Sequence, residues 1–200
     1  MCTINSFESS VSVIAVSETW LKPGLESLYT IPNYSFIARS RTNSAGGGVG
    51  LYIHNDYAWK QRDDLVLDGP DFECIFVEIT DPNLIVGCIY RKPDTDIKTF
   101  NMSLDRLLTI INNEKKTGYI VEDFNINILK SDVHVDTCSF IDCLFSNMFL
   151  PTVTYPTRVT ETSATLIDNI ITIASLIVNK PSVLYYIFRY IRSSVSLLIN

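Results

Sequence analysis

Short apolar and alternating runs dominate the chain. Val11–Val16 (VSVIAV) is apolar and stops abruptly at Ser17-Glu18-Thr19-Trp20. A buried strand that ends in polar residues delivers side chains to the rim of a sheet. Tyr34–Ser40 alternates as a strand does. Gly46-Gly47-Gly48 reads as a loop, and Val49–His54 follows as another strand. Phe72–Ile79 and Leu84–Tyr90 flank Asp81-Pro82-Asn83, a turn sequence, and are expected to pair antiparallel.

The periodicity changes after Tyr90. Ile97, Phe100, Leu104, Leu107, Leu108 and Ile111 recur at helical spacing, which predicts a helix over 96–113 capped by Asp94, Thr95 or Asp96. Tyr119–Val121 is a short strand running into Glu122-Asp123-Phe124-Asn125. A second helix is expected over 135–147, an extended segment over 152–158 and a strand over 164–173. Strands outnumber helices and the helices fall between strands, which implies an α/β layered fold with mixed or mostly antiparallel sheets.

Composition narrows the function classes. At 200 residues the chain is long enough to bury a core without disulfide staples, and 46% hydrophobic content excludes a disordered chain. The net charge of −6 excludes a uniformly cationic surface but leaves room for a local basic patch beside metal-holding carboxylates. The five cysteines form no CxxC pair, and neither His54 nor His134 stands at a finger-like spacing from them. Reduced thiols in an intracellular protein are therefore expected rather than zinc ligands. The N-terminus carries no signal-peptide pattern, and Arg189 and Arg192 interrupt the apolar tail too often for a membrane span.

Four segments carry the candidate chemistry: Ser17-Glu18-Thr19-Trp20-Leu21, Tyr90-Arg91-Lys92-Pro93, Asp123-Phe124-Asn125 and Ser163-Ala164-Thr165-Leu166-Ile167-Asp168. Glu18 ends a buried strand. Asp123 and Asn125 lie two apart on an extended segment, so their side chains face the same way. Taken singly, each has a structural explanation: an exposed glutamate, an Asx turn, a core tyrosine with its hydroxyl at the rim, a polar residue in an apolar strand.

In this order and at these spacings, the four segments resemble the nuclease domain of non-LTR retrotransposons of the Jockey or related type. That domain is in turn similar to apurinic/apyrimidinic endonucleases. Gly46–Tyr52 and Tyr155-Pro156-Thr157-Arg158 fit the same pattern, and the resemblance spans roughly residues 7–185. It implies the endonuclease/exonuclease/phosphatase fold, a two-layered β-sandwich flanked by helices. The implied activity is Mg²⁺-dependent nicking of target DNA by phosphodiester hydrolysis. By the same resemblance Glu18 ligates Mg²⁺, Tyr90 contacts the scissile phosphate or leaving group, Asp123 and Asn125 orient the water and hold a phosphate oxygen, and Asp168 supports them. Arg41, Arg91 and Arg158 are expected to contact the DNA backbone. No small-molecule cofactor and no membrane partner is expected.

The sequence also departs from that pattern. The family's first strand carries an asparagine, whereas this chain starts just before the Glu18 strand, and Asn5 is a poor substitute. The family closes on a Ser-Asp-His signature, and no histidine follows His134 here. Glu122 stands where a glycine is usual. Residues 1–186 are accordingly expected to form an incomplete domain that lacks the first strand and the last motif. Residues 187–200 would be an apolar, aggregation-prone tail, read as out of frame. The expectation is a nuclease with little or no activity, alongside two other readings: a non-catalytic nucleic-acid- or protein-binding relic, and a phosphoesterase for lipid or small phosphates.

Overall fold

The computed structural model describes residues 11–41, 46–67, 69–173, 186–189 and 195–199, the last two segments as backbone strands only. Cys2, Asn5 and the segment 174–185 lie outside the described residues.

Two sheets stack face to face. One has five strands in the order β12-β13-β1-β3-β2, built from β1 (Val13–Ser17), β2 (Tyr34–Arg39), β3 (Val49–His54), β12 (Tyr186–Arg189) and β13 (Val195–Ile199). The other has six in the order β4-β5-β6-β7-β11-β8. Its strands are β4 (Trp59–Gln61), β5 (Phe72–Ile79), β6 (Leu84–Arg91), β7 (Thr117–Asp123), β8 (Phe149–Pro151) and β11 (Asp168–Ile173). A short ribbon joins β9 (Arg158–Val159) to β10 (Ala164–Thr165). Within the six-stranded sheet β6 and β7 run parallel, linked by helix α1 (Ile97–Asn113), and the other pairs are antiparallel.

Strand alternation divides the apolar residues between two cores. Ile75, Val77, Ile79, Val86, Cys88, Tyr119, Val121 and Ile170 point from the six-stranded sheet toward Val13, Ala15, Val49, Leu51 and Ile53 of the other. The opposite face sets Phe76, Ile85, Ile89, Ile120 and Ile171 against Phe100, Leu104, Leu107, Leu108 and Ile111 of α1, and against Phe140 and Leu144 of α2 (Val135–Ser146). The helices thus flank one face of the sandwich. The outer face of the five-stranded sheet carries a smaller cluster, Val11, Ile14 and Tyr52 with Phe36 and Tyr34 against it, and no α-helix covers it among the described residues. Pro23, Gly24 and Pro32 punctuate the segment between β1 and β2, which forms only a 3-10 turn at Glu26–Leu28.

Three sequence expectations need amendment. The strand expected over 164–173 breaks at Leu166-Ile167, where N–H groups turn to the side chains of Asn127 and Thr157. The extended segment over 152–158 is ladder-paired only at its end. The tail is not left without a partner: β13 pairs antiparallel with β1 from Val13↔Ile199 to Val16↔Ser196, and β12 pairs with β13. That side of β1 is therefore not an open edge.

Helix α1 is capped by Asp96, which accepts from Lys98 and Thr99 N–H groups, one of the three candidates in the sequence. Gly87 sits mid-strand opposite Phe76, and a Cβ there would lie 2.0 Å from Phe76 Cε1. Gly87→Ala is expected to destabilise the fold by roughly 1–3 kcal/mol, the range for overpacking a tight core. Urea denaturation followed by circular dichroism measures it, and an unchanged midpoint would refute this packing argument.

Candidate active site

The polar residues of the site form a row across the strand ends of the six-stranded sheet. Glu73 of β5 is the register partner of Tyr90 on β6, Tyr90 of Asp123 on β7, and Asp123 of Asp168 on β11. All four share the alternation phase of the residues that fill the space between the sheets, so they close one end of that apolar core. Each is nearly inaccessible to solvent.

The facing sheet supplies the other wall. Immediately after β1 the chain turns through Glu18 and Trp20, both with positive φ (50° and 52°), a region that side chains of this kind rarely enter. The turn is held by Thr19 and Trp20 N–H groups donating to the carbonyls of Gly48 and Gly47 (3.2 and 2.8 Å). Gly47 must be a glycine: its φ is +70°, and a Cβ would lie 2.5 Å from the Arg41 guanidinium carbon. The result points Glu18 across the gap, where its Oε1 accepts a 2.5 Å hydrogen bond from the Tyr90 hydroxyl. Burial, and then this bond to a carboxylate, push the Tyr90 pKa well up, so the phenol stays protonated as the donor.

Asp123 occupies the centre. Its Oδ2 pairs with Arg158 Nη2 at 2.8 Å, and its Oδ1 accepts from the Asn125 N–H at 3.1 Å. Arg158 Nη2 also lies 3.9 Å from Asp168 Oδ1, so one guanidinium serves two buried carboxylates. Burial first, and then the Asp168 charge, push the Asp123 pKa up to about 7; Arg158 opposes them. Asn125 follows with φ 48° and donates from Nδ2 to the Arg91 carbonyl (2.7 Å).

Two of the arginines take positions the sequence did not anticipate. Arg91, expected on the DNA backbone, is 2% exposed. Its guanidinium donates to the carbonyls of Phe124, Thr95 and Asn125 (2.6, 2.8 and 2.9 Å) and to the Thr95 hydroxyl. It is a clamp beneath the Asp123–Asn125 loop, and that burial removes it from the set of DNA contacts. Arg41 is drawn inward, ion-paired to Glu73, with its guanidinium carbon 5.8 Å from the Tyr90 ring centroid. Arg158 remains partly exposed on the rim.

Two residues escaped the sequence reading. Glu73 accepts from the Gly48 N–H at 2.5 Å and holds Arg41 over Tyr90. Its shared phase with Ile75 and Val77 was the available signal. Asn169, fully buried, accepts from the Thr152 and Val153 N–H groups (3.1 Å each) and so fixes the chain leading to Arg158. His54 and His134 lie away from this row: His54 ends β3 beside Asp56, and His134 caps α2. The side chain of Glu122 is outside the described part of the structure.

An oxygen-seeking divalent ion finds a thin donor set here. Glu18 is the carboxylate on the rim, and among the described residues no three His, Cys, Asp or Glu side chains group as metal ligands. Mg²⁺ needs only one or two protein carboxylates when water and phosphate complete its shell, so Glu18 fits the lower limit of such a site.

The raised Asp123 pKa makes stability depend on pH. The folded state holds a proton that the unfolded chain releases near 3.8, so stability is full below that pH and falls as pH rises through about 7. Asp123→Asn should therefore match the wild type near pH 4 and exceed it at pH 8 by roughly 4 kcal/mol, each pKa unit being worth about 1.4 kcal/mol and the opposing effect of Arg158 being already contained in the raised value. Urea midpoints across pH 4–8 would refute this if the gap failed to widen.

No protein-family profile matches the sequence, and no curated relative matches it. Solved structures do match in three dimensions. The endonuclease domain of TRAS1, a telomere-specific non-LTR retrotransposon, aligns with a TM-score of 0.61 at 10% identity, over 84% of this chain and 81% of that one. The 3′-5′ exonuclease NExo from Neisseria meningitidis aligns at 0.60 and 10% identity, over 94% and 89%. D. rerio TDP2 complexed with a single-strand DNA product aligns at 0.56 and 10% identity, over 94% and 86%. At such identities the likeness is one of architecture, and the architecture is the endonuclease/exonuclease/phosphatase fold.

Proposed function

We propose that this site engages the phosphodiester backbone of DNA, as the ordered motifs imply, and that its hydrolysis of that backbone is reduced to near background. One observation carries the binding half. Arg41 Nη2 and Arg158 Nε are buried donors with no hydrogen-bond partner among the described residues, and both belong to guanidinium groups that border the Tyr90–Asp123 row. An unsatisfied buried donor costs about 1–3 kcal/mol, and charged donors cost more. A phosphate oxygen is the acceptor that guanidinium geometry suits best.

The remaining residues support a nuclease-like arrangement. Tyr90 holds the Glu18 carboxylate by its Oε1, and Glu18 is the rim carboxylate that would hold a cation. A bound Mg²⁺ would supply charge neutralisation and polarisation of a phosphate oxygen. Asp123, with its pKa near 7, accepts a proton from a water at neutral pH. Asn125, whose Nδ2 donates to the Arg91 carbonyl, is the residue we assign to a phosphate oxygen or the leaving group, with Asp168 supporting Asp123. The comparison with the TRAS1 endonuclease domain and with TDP2 bound to a DNA product favours a nucleic-acid phosphate over a lipid one.

Turnover is the function for which the site is under-equipped. Neither histidine of this sequence reaches the row: His54 pairs with Asp56 and His134 caps α2. One carboxylate is left to hold the ion. Catalytic groups act as a unit, and losing members of it costs orders of magnitude in rate.

Two measurements on the folded chain test both halves. A fluorescein-labelled 20-mer duplex should bind at low salt, with affinity that falls steeply as salt rises and drops about tenfold in Arg158→Gln, roughly the value of one lost charge-assisted contact. Supercoiled plasmid with Mg²⁺ should be nicked no faster by the wild type than by Asp123→Ala. Failure to bind would overturn the phosphate site, and brisk nicking that Asp123→Ala abolishes would overturn the claim of lost turnover.

A further inference from the structure

Two of the most exposed aromatic side chains adjoin residues of the site along the chain. Trp20 is 66% exposed and lies two residues beyond Glu18. Tyr155 is 80% exposed and lies three residues before Arg158, which holds Asp123.

Neither aromatic is loosely hung. The indole of Trp20 lies against Gly46, where a Cβ would stand 3.5 Å from its Cζ2, so the glycine backs one side of the ring. The backbone beneath it is held at φ 52° by the bond to Gly47 O, a conformation that costs of order 1–3 kcal/mol for such a residue. That arrangement holds the ring outward rather than burying it. Tyr155 rides on a turn whose Thr157 hydroxyl accepts from the Ile167 and Asp168 N–H groups (3.3 Å each) and whose Thr157 N–H reaches Thr165 O at 2.9 Å. Both rings are thus presented by hydrogen-bonded turns tied to the carboxylate row itself.

Large flat apolar rings beside a phosphate-sized polar row match the chemistry of one ligand, a nucleotide strand with its bases unpaired. Every base has a π-face, so stacking tolerates sequence and is worth about 1–3 kcal/mol per base. A base in a duplex is already stacked on its neighbours and offers no free face.

We propose that Trp20 and Tyr155 are nucleobase-stacking platforms beside the phosphate site, which makes unpaired single-stranded nucleic acid its preferred ligand. This rests on the reading of the row as a phosphate site and adds to it the class of strand that the site takes.

Two labelled probes of equal length and charge separate the two proposals: a single-stranded dT12, and the same strand made of abasic spacers. Wild type should bind dT12 about tenfold or more tighter than the abasic strand. Trp20→Leu and Tyr155→Leu should each erase most of that preference, while Trp20→Phe and Tyr155→Phe retain it. Affinity for the abasic strand should not change in any of the four. Both side chains are exposed, so these variants keep the fold, and near-UV circular dichroism verifies it. Equal affinity for the two probes, or Leu variants that bind like wild type, would overturn the stacking proposal and leave the phosphate site standing. Failure of both probes to bind would overturn both.

Discussion

Everything at the site follows from one register. Tyr90, Asp123 and Asp168 face the space between the sheets because β6, β7 and β11 are paired with these residues as neighbours. A slip of one residue in β7 would turn Asp123 to the helix side and bring Phe124 toward the carboxylates. The parallel pair is the harder one to set, since it needs a crossover rather than a turn. Here the crossover is α1. Its 17 residues span about 26 Å, and the eight residues of β6 span about 26 Å as well. A helix that returns the chain by the length of the strand starts β7 level with the start of β6, so the two strands deliver Tyr90 and Asp123 at the same end. Arg91 then locks the exit: from β6 it grips the carbonyls of Phe124 and Asn125, and the loop beyond Asp123 cannot shift without breaking several charge-assisted bonds.

Much of this was legible in the sequence. The bounds of β3 and β5, the antiparallel pairing of β5 with β6, and an α1 cap among Asp94, Thr95 and Asp96 follow from alternation, turn chemistry and helical spacing. Glu18, Tyr90, Asp123, Asn125 and Asp168 come from four distant segments, and the fold does bring them to one place. What stayed hidden is how the polar groups are shared. Sequence order gives no hint that Arg91 turns under the loop while Arg158 turns over it, since both are arginines beside a motif. Glu73 was hidden by its strand, where a glutamate next to Phe72 reads as solvent-facing until the phase of Ile75 and Val77 is counted. The partner of the tail was hidden for a related reason. An apolar run has no visible partner in sequence, and β1 and β13 find each other across nearly the whole chain.

The strand β5 carries two buried glutamates, and their contrast separates a structural charge cluster from a functional one. Glu78 lies at the end of β5 remote from Glu73, on the helix side. It is surrounded by Arg62, Lys60 and Lys116, with Glu114 and Asp64 completing a set of three cations and three anions. There, hydrogen bonds from Lys116 chiefly, with Lys60 and Arg62, hold the Glu78 carboxyl below its usual range. Arg62 above all brings Glu114 down to about 2. Balanced charge with lowered carboxyl pKa values is what a cluster that only pins β4 and β5 to the end of α1 requires. At the Glu73 end, four carboxylates (Glu18, Glu73, Asp123 and Asp168) share Arg41 and Arg158, and Asp123 is raised instead of lowered.

Folding alone would not favour that imbalance, because a buried carboxylate short of cations destabilises the state that contains it. Yet the same end also leaves guanidinium donors without acceptors, an excess of both kinds that the groups present do not cancel against each other. Four carboxylates that share two guanidinium groups, with one nitrogen of each guanidinium still lacking an acceptor, are complementary to a ligand that brings both charges at once. A phosphodiester with its accompanying cation is such a ligand. On this physical ground, independent of motif order, the Glu73 end rather than the Glu78 end is the one to associate with function.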